Sequence, residues 1–236
     1  MNDKDAPVCL VTGVGPGTGS AIVRRFAEGG YRVAMVARNW DRLAQLEGEI
    51  ANTKGYGCDV ADPEQLDRTL QAVRDDLGAP KVVVHNAVRG TRGDFLAIDP
   101  QDLRRNFEIN VMSYLQIARA VAPFMIEAGA GAIIATGNTA AYRGKDFFAG
   151  FAPTKAAQRI LGESMARTLG PKGVHVAYLA IDAVIDVPWT REAFSEAPDD
   201  FFCKPSDIAH SVWQLAHQAK SAWTYDMVIR PFGENW

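Results

Sequence analysis

Short runs of consecutive apolar, mostly β-branched residues alternate along this chain with longer stretches whose apolar positions recur every three or four residues. The first kind occupies Val8 to Val11, Arg32 to Ala37, Gly55 to Cys58, Val82 to His85, Ala132 to Ala135, Val174 to Ala180 and Met227 to Arg230. Runs this short and this continuously apolar read as strands buried on both faces. The stretches between them carry helix signals: Asp62-Pro63 opens one, Gly29-Gly30 closes another, and Gly170-Pro171 ends a third. Buried strands in alternation with helices predict a parallel sheet covered on both sides. The expected fold is therefore a single α/β domain over residues 1–236, a doubly wound Rossmann-type sheet of about seven strands with its ligands at the carboxyl ends of the strands. The long stretch Asp182 to Pro205, with Pro188, Trp189 and Pro198, lacks a clear period and reads as a lid or a surface excursion.

Composition narrows the function classes. At 236 residues and 47% hydrophobic, the chain can bury one sizeable core. The sequence offers no run of about 18 apolar residues, and its start, MNDKDAPV, is polar, so a cytoplasmic protein without a membrane span is expected. The formal charge of -3 leaves no footprint for nucleic acid. Cys9, Cys58 and Cys203 have no paired spacing and read as reduced, buried thiols. His210 and His217 share a helix face but have no third ligand nearby in sequence, so no metal is expected.

The densest chemistry lies in the first loop. Thr12-Gly13-Val14-Gly15-Pro16-Gly17-Thr18-Gly19 follows a strand and opens a helix over Ser20 to Glu28. Glycines there let the backbone approach a pyrophosphate at a helix N-terminus. Their spacing, Thr-Gly-x-x-x-Gly-x-Gly, resembles the short-chain dehydrogenase/reductase family, and the likeness extends over nearly the whole chain. Cys58-Asp59-Val60 resembles the family's Asp-Val element, whose carboxylate accepts from the adenine amino group. His85-Asn86-Ala87-Val88 resembles its Asn-Asn-Ala-Gly along the cofactor, with Val88 in place of the closing glycine. Asn110 matches the asparagine that holds a water in a proton relay.

The resemblance places Arg38 and Asn39, after the second strand, beside the adenine ribose. A guanidinium at Arg38 suits a 2′-phosphate, so NADP(H) is favoured and NAD(H) is the alternative. In the segment after the sixth strand, Ile181-Asp182 stands for the family's Pro-Gly and Asp186 for its threonine, with Val184 as the cofactor contact between them. A carboxylate at Asp186 would repel phosphates.

At the catalytic positions this chain departs from the pattern. Lys155 stands where a Tyr-x-x-x-Lys pair ends, but the earlier position is Phe151, which has no hydroxyl. Thirteen residues before it, where the family has serine, stands Asn138. The enoyl-reducing branch would put a phenol at Phe148, and Tyr142 is the nearest surrogate. A positioned general acid is worth about 10²–10⁴-fold, so ordinary carbonyl reduction is expected to be impaired.

Three functions stay open. The first is an NADP(H)-dependent oxidoreductase acting on an activated double bond or carbonyl of a small molecule, the second a nucleotide-binding module or subunit without turnover, and the third a non-redox lyase or isomerase. The aromatic residues Phe148, Phe151 and Trp189 would line a pocket for an apolar ligand. By resemblance the chain forms a homodimer or homotetramer through the helices near Pro100 to Glu127 and Ala152 to Leu169, and the aromatic tail from Trp223 to Trp236 packs on a neighbour or on its own pocket.

Overall fold

The computed structural model describes residues 5–233; the first four residues of the polar start and the last three of the aromatic tail lie outside them. Seven strands form one parallel sheet: β1 (Val8–Thr12), β2 (Arg32–Ala37), β3 (Thr53–Gly57), β4 (Pro80–His85), β5 (Gly131–Asn138), β6 (Val174–Ile181) and, numbered last in the chain, β9 (Asp226–Ile229). Their spatial order is β3-β2-β1-β4-β5-β6-β9. Every strand expected from the apolar runs is present, because residues such as Val33, Met35, Val84, Ile133 and Leu179 have no exposed surface and face helices on one side or the other. Burying each such side chain contributes about 1.5–3 kcal/mol.

Helices α1 (Thr18–Glu28), α2 (Trp40–Glu49) and α8 (Pro205–Ala216) cover one face, with Ile22, Phe26, Leu43 and Ile208 in the core. Helices α3 (Pro63–Leu77), α4 (Pro100–Phe107), α5 (Ser113–Glu127) and α6 (Ala152–Leu169) lie on the other, where Leu66, Ile117, Val121 and Leu169 are buried. Asp62 caps α3 by accepting from the Gln65 N–H, with Pro63 in the first turn, as its sequence signal predicts.

Two expectations are corrected. The helical stretch Pro100–Glu127 is long and apolar enough by composition to cross a bilayer, contrary to the reading of the sequence. Here it is interrupted by a π-helical turn at Glu108–Met112, and Tyr114, Ile117 and Met125 are turned into the core. The stretch after β6 is not patternless: β7 (Val184–Ile185) pairs in parallel with β8 (Phe202–Cys203), and α7 (Pro188–Ala193) lies between them. Strands of two residues are too short to leave a period.

Candidate functional site

The carboxyl ends of β1, β2 and β4 open onto a cavity of ≈ 1240 Å³. That exceeds the roughly 300–1,000 Å³ of most small-ligand sites and leaves room for a dinucleotide beside a second molecule. Its floor is the glycine turn. Gly13 has φ 69°, and a Cβ there would lie 2.5 Å from the Ala87 Cα and N. The turn is thus seated directly on the backbone after β4, held by the Gly13 N–H to the Val36 carbonyl (2.9 Å) and the Asn86 amide to the Gly13 carbonyl (2.8 Å). Asn86 also accepts from the Thr136 hydroxyl at 2.8 Å, so one side chain ties the ends of β1, β4 and β5 together. Gly15, by contrast, has no protein atom within 4 Å of where its Cβ would be.

Several features fit a phosphorylated dinucleotide. Gly15, Pro16, Gly17, Thr18 and Gly19 all line the cleft at the N-terminus of α1, where backbone N–H groups and the helix dipole favour an anion. The Thr18 hydroxyl is buried with no hydrogen-bond partner among the described residues, leaving a donor for a phosphate oxygen. At the β2 end, Arg38, Asn39, Trp40 and Arg42 line the same cleft. Arg38 and Arg42 form no ion pair among the described residues, and Asn39 is spent capping α2 through the Arg42 N–H.

Asp59, Val60, Ala87, Val88 and Val184 also line the cleft. Val88 is 58% exposed, a branched side chain standing in the space beside the glycine turn. The Asp59 carboxylate is not free for a base amino group alone: Oδ2 accepts from Arg105 at 2.5 Å and Oδ1 from the Ala61 N–H at 3.1 Å.

The expected repulsion from Asp186 is also corrected. Arg191 holds that carboxylate with two hydrogen bonds of 2.6 and 2.8 Å, which keeps it below the usual carboxylate range. Val187 instead faces the turn: a Cβ on Gly17 would meet its Cγ1 at 2.7 Å.

None of the residues expected to carry catalysis lines this cleft. Lys155 is 1% exposed; its ammonium donates to Gln158 Oε1 at 2.6 Å and to the Thr136 carbonyl at 3.3 Å. Burial lowers its pKa to about 7, because low-dielectric surroundings disfavour the charged form. The Phe151 ring packs against the loop after β4, 2.9 Å from where a Cβ on Gly90 would lie.

Asn110 is fully buried, and its amide accepts from the Arg89 N–H while donating to the Arg89 carbonyl and the Thr154 hydroxyl. Those bonds dock the loop after β4 onto α6. Asn138 accepts from the Ala140 N–H and caps the turn after β5. Tyr142 is no surrogate phenol: it lies exposed, donates to the Asp226 carboxylate, and sits under the Arg159 guanidinium. Burial, and then the Asp226 hydrogen bond, raise its pKa, which makes the phenol a worse source of a mobile proton. Phe148 and Phe151 pack on each other, with Phe151 against Gly90 next to cleft-lining Arg89, whereas Trp189 lines the cleft itself.

His85 is fully buried between Thr12, whose hydroxyl lies 3.1 Å from Nδ1, and the stacked ring of Tyr114. Burial first, and the charge of Lys155 second, lower its pKa to about 3. It is a core histidine. Because the folded chain resists protonating it and the unfolded chain does not, stability is full above pH 6.5 and declines as pH falls from 6.5 towards 3. His85→Asn is expected to flatten that decline, by at most about 1.4 kcal/mol per pH unit, in urea titrations repeated across that range.

His217 is engaged by Tyr31 and by the Trp213 carbonyl, and among the described residues no group of His, Cys, Asp and Glu could hold a metal. Cys9, Cys58 and Cys203 are free and buried. Trp40, Arg42, Arg92, Thr190 and Phe194 line the cleft without having been marked by the sequence. Arg42 carried one weak signal, its spacing of four from Arg38.

A family model described as short chain dehydrogenase matches residues 7–196. The 7alpha-hydroxysteroid dehydrogenase of Escherichia coli K12 is 27% identical over 241 residues, covering 97% of this chain and 94% of that one. A metagenomic short-chain oxidoreductase solved in complex with NADP superposes with a TM-score of 0.85 at 26% identity, over 99% of this chain and 100% of the other. A short-chain dehydrogenase from Rhodopseudomonas palustris gives 0.83 at 31% identity, over 96% and 99%.

Proposed function

The chain belongs to the short chain dehydrogenase family, and from that premise we propose that it is an NADP(H)-dependent oxidoreductase of a small molecule, working with an atypical catalytic centre. The observation that carries the reading is one cleft that joins a glycine turn at a helix N-terminus to two unpaired guanidiniums, Arg38 and Arg42. The turn and Thr18 would hold the diphosphate, and the guanidiniums a 2′-phosphate, by charge-assisted bonds. Binding of NADP by the metagenomic relative supports the same choice. When bound, the reduced dinucleotide supplies the hydride. The chain's own part is to orient the substrate and polarise the accepting group, and with phenylalanine at 151 no phenol completes a carbonyl reduction there.

Trp40 lines the cleft beside Arg38 and is 57% exposed, so nucleotide binding is expected to quench its fluorescence. NADPH should bind more tightly than NADH. Arg38→Glu should weaken NADPH by about 10–100-fold, the worth of a charge-assisted bond, and leave NADH nearly unchanged. Equal loss for both nucleotides would remove the 2′-phosphate assignment. Substrate-dependent loss of NADPH absorbance across carbonyls and enones tests the reaction.

A second reading, a nucleotide-binding module without turnover, is favoured by one observation: Lys155 is tied to Gln158 and Phe151 to the Gly90 loop, both outside the cleft. It predicts NADPH affinity with no oxidation of the nucleotide by any compound in that screen. Assembly as a homodimer or homotetramer is supported by exposed Met112, Phe124 and Ile160 on the helices that resemblance assigns to it, and light scattering on the purified chain tests it.

A further inference from the structure

The cleft is also lined by the apolar side chains of Val88, Val184, Trp189 and Phe194, and two cations of the loop after β4 stand on it, Arg89 and Arg92. Arg92 is exposed and makes no hydrogen bond or ion pair with any described residue. Several acids on the surrounding loops are committed elsewhere. Asp94 accepts from the N–H groups of Leu96 and Ala97, and Asp102 from Arg89 at 2.6 Å. Asp182 pairs with Arg143 and Arg230, and Asp186 and Asp199 with Arg191.

The loop that carries Arg92 is held from both ends. Arg89 anchors its start through Asp102, Asn106 and Thr91. Asn106, fully buried, donates both to the Thr91 hydroxyl and to the Gly150 carbonyl at 2.6 Å. On the far side of Arg92, the Gly93 N–H donates to the Phe147 carbonyl at 2.9 Å. A guanidinium on a loop fixed on both sides has less freedom to lose when it takes a ligand. Beyond it the same loop leaves Phe95 and Leu96 exposed at 76% and 83%.

We infer that Arg92 is a specificity-determining residue, and that the substrate is an amphipathic anion whose carboxylate or phosphate pairs with Arg92 while its apolar body lies along Val88, Trp189 and Phe194. The inference rests on the nucleotide reading, since it assigns to the substrate the part of the cleft that a dinucleotide on the glycine turn leaves over. The same guanidinium chemistry would also suit the cofactor's own diphosphate, and the two sources give different results.

The experiment is calorimetric titration of the chain saturated with NADP⁺, using 4-phenylbutanoate and its neutral match 4-phenylbutanamide, after a first titration with NADPH. The carboxylate should bind at least about tenfold more tightly than the amide, as a charge-assisted pair gives, and the preference should shrink with added salt. Arg92→Gln should bring the carboxylate down to the affinity of the amide, leaving the amide and NADPH unchanged. The inference is overturned by equal affinity of the two probes in the wild type, by binding of neither at millimolar concentration, or by a preference that survives in Arg92→Gln. It is also overturned if Arg92→Gln weakens NADPH instead, which would assign the guanidinium to the diphosphate. A wild type that ignores NADPH in the first titration sinks the nucleotide reading separately, and the two probes titrated without nucleotide then still report on Arg92.

Discussion

Installing both missing groups, Asn138→Ser with Phe151→Tyr, is expected to raise NADPH-dependent carbonyl reduction by about 10²–10⁴-fold over the wild-type chain, the range for a positioned general acid. The scaffold around these positions is present: Lys155 lies one helical turn beyond Phe151, its ammonium 6.0 Å from the centre of the Phe151 ring, and α6 is anchored through Thr154 and Asn110. The ring meets the Gly90 loop with the Cγ, Cδ2 and Cε2 atoms of one edge, so a hydroxyl at its tip does not have to displace that backbone. Phe151→Tyr alone should give much less, because groups that act as one unit do not contribute additively and Asn138 holds its side-chain oxygen on the Ala140 N–H.

A tyrosine beside an ammonium with a lowered pKa would also bring in a new pH dependence. Carbonyl reduction spends the phenol's proton on the alkoxide, so its rate should fall as the pH rises through about 7, where Lys155 loses the charge that would stabilise the developing phenolate. Steady-state NADPH oxidation with a panel of ketones measures the gain. A double variant that binds NADPH as tightly as wild type and reduces none of them would show that the centre has been rebuilt beyond these two positions.

How far this centre can be read from the sequence differs by element. The strands are legible because burial on both faces leaves an unbroken apolar run, as from Val82 to Val84 in β4 and from Val176 to Ile181 in β6. The glycine turn is legible because its spacing encodes a backbone contact: Gly13 is glycine since Ala87 leaves no room for a side chain. What stays hidden are side chains whose partners lie far along the chain.

Asp59 reads as a base acceptor until Arg105, 46 positions away, is found on it. Tyr142 stands near Asn138 in sequence, yet the turn Thr139–Ala141 carries it to the surface and to Asp226, 84 positions on. The Lys155–Gln158 bond is local, three residues apart on one helix, but that spacing usually marks exposed pairs, and only burial turns it into a tether for the lysine. Arg92 had no signal at all, because a cation in a glycine-flanked loop ordinarily faces water.

Two glycines two positions apart should separate folding from binding. Gly13→Ala places a Cβ 2.5 Å from the Ala87 backbone at φ 69°, and neither the loop nor the strand can give way at low cost. Adding the left-handed conformation, about 1–2 kcal/mol, to an overpacking of typically 1–3 kcal/mol gives an expected loss of about 2–5 kcal/mol. That corresponds to a fall in Tm of roughly 4–20 °C for a domain of this size. Gly15→Ala has open space in the protein at the same point and no positive φ, so its Tm should move little. Its methyl group, however, enters the cleft where the backbone must approach the diphosphate, and NADPH affinity should fall by at least about tenfold, since a displaced charge-assisted contact costs ~1.5 kcal/mol or more. Thermal melts and nucleotide titrations of the two variants should therefore give opposite orders of severity. A Gly15→Ala chain that binds NADPH as wild type does would move the dinucleotide off the turn, whatever the stability of the Gly13 variant.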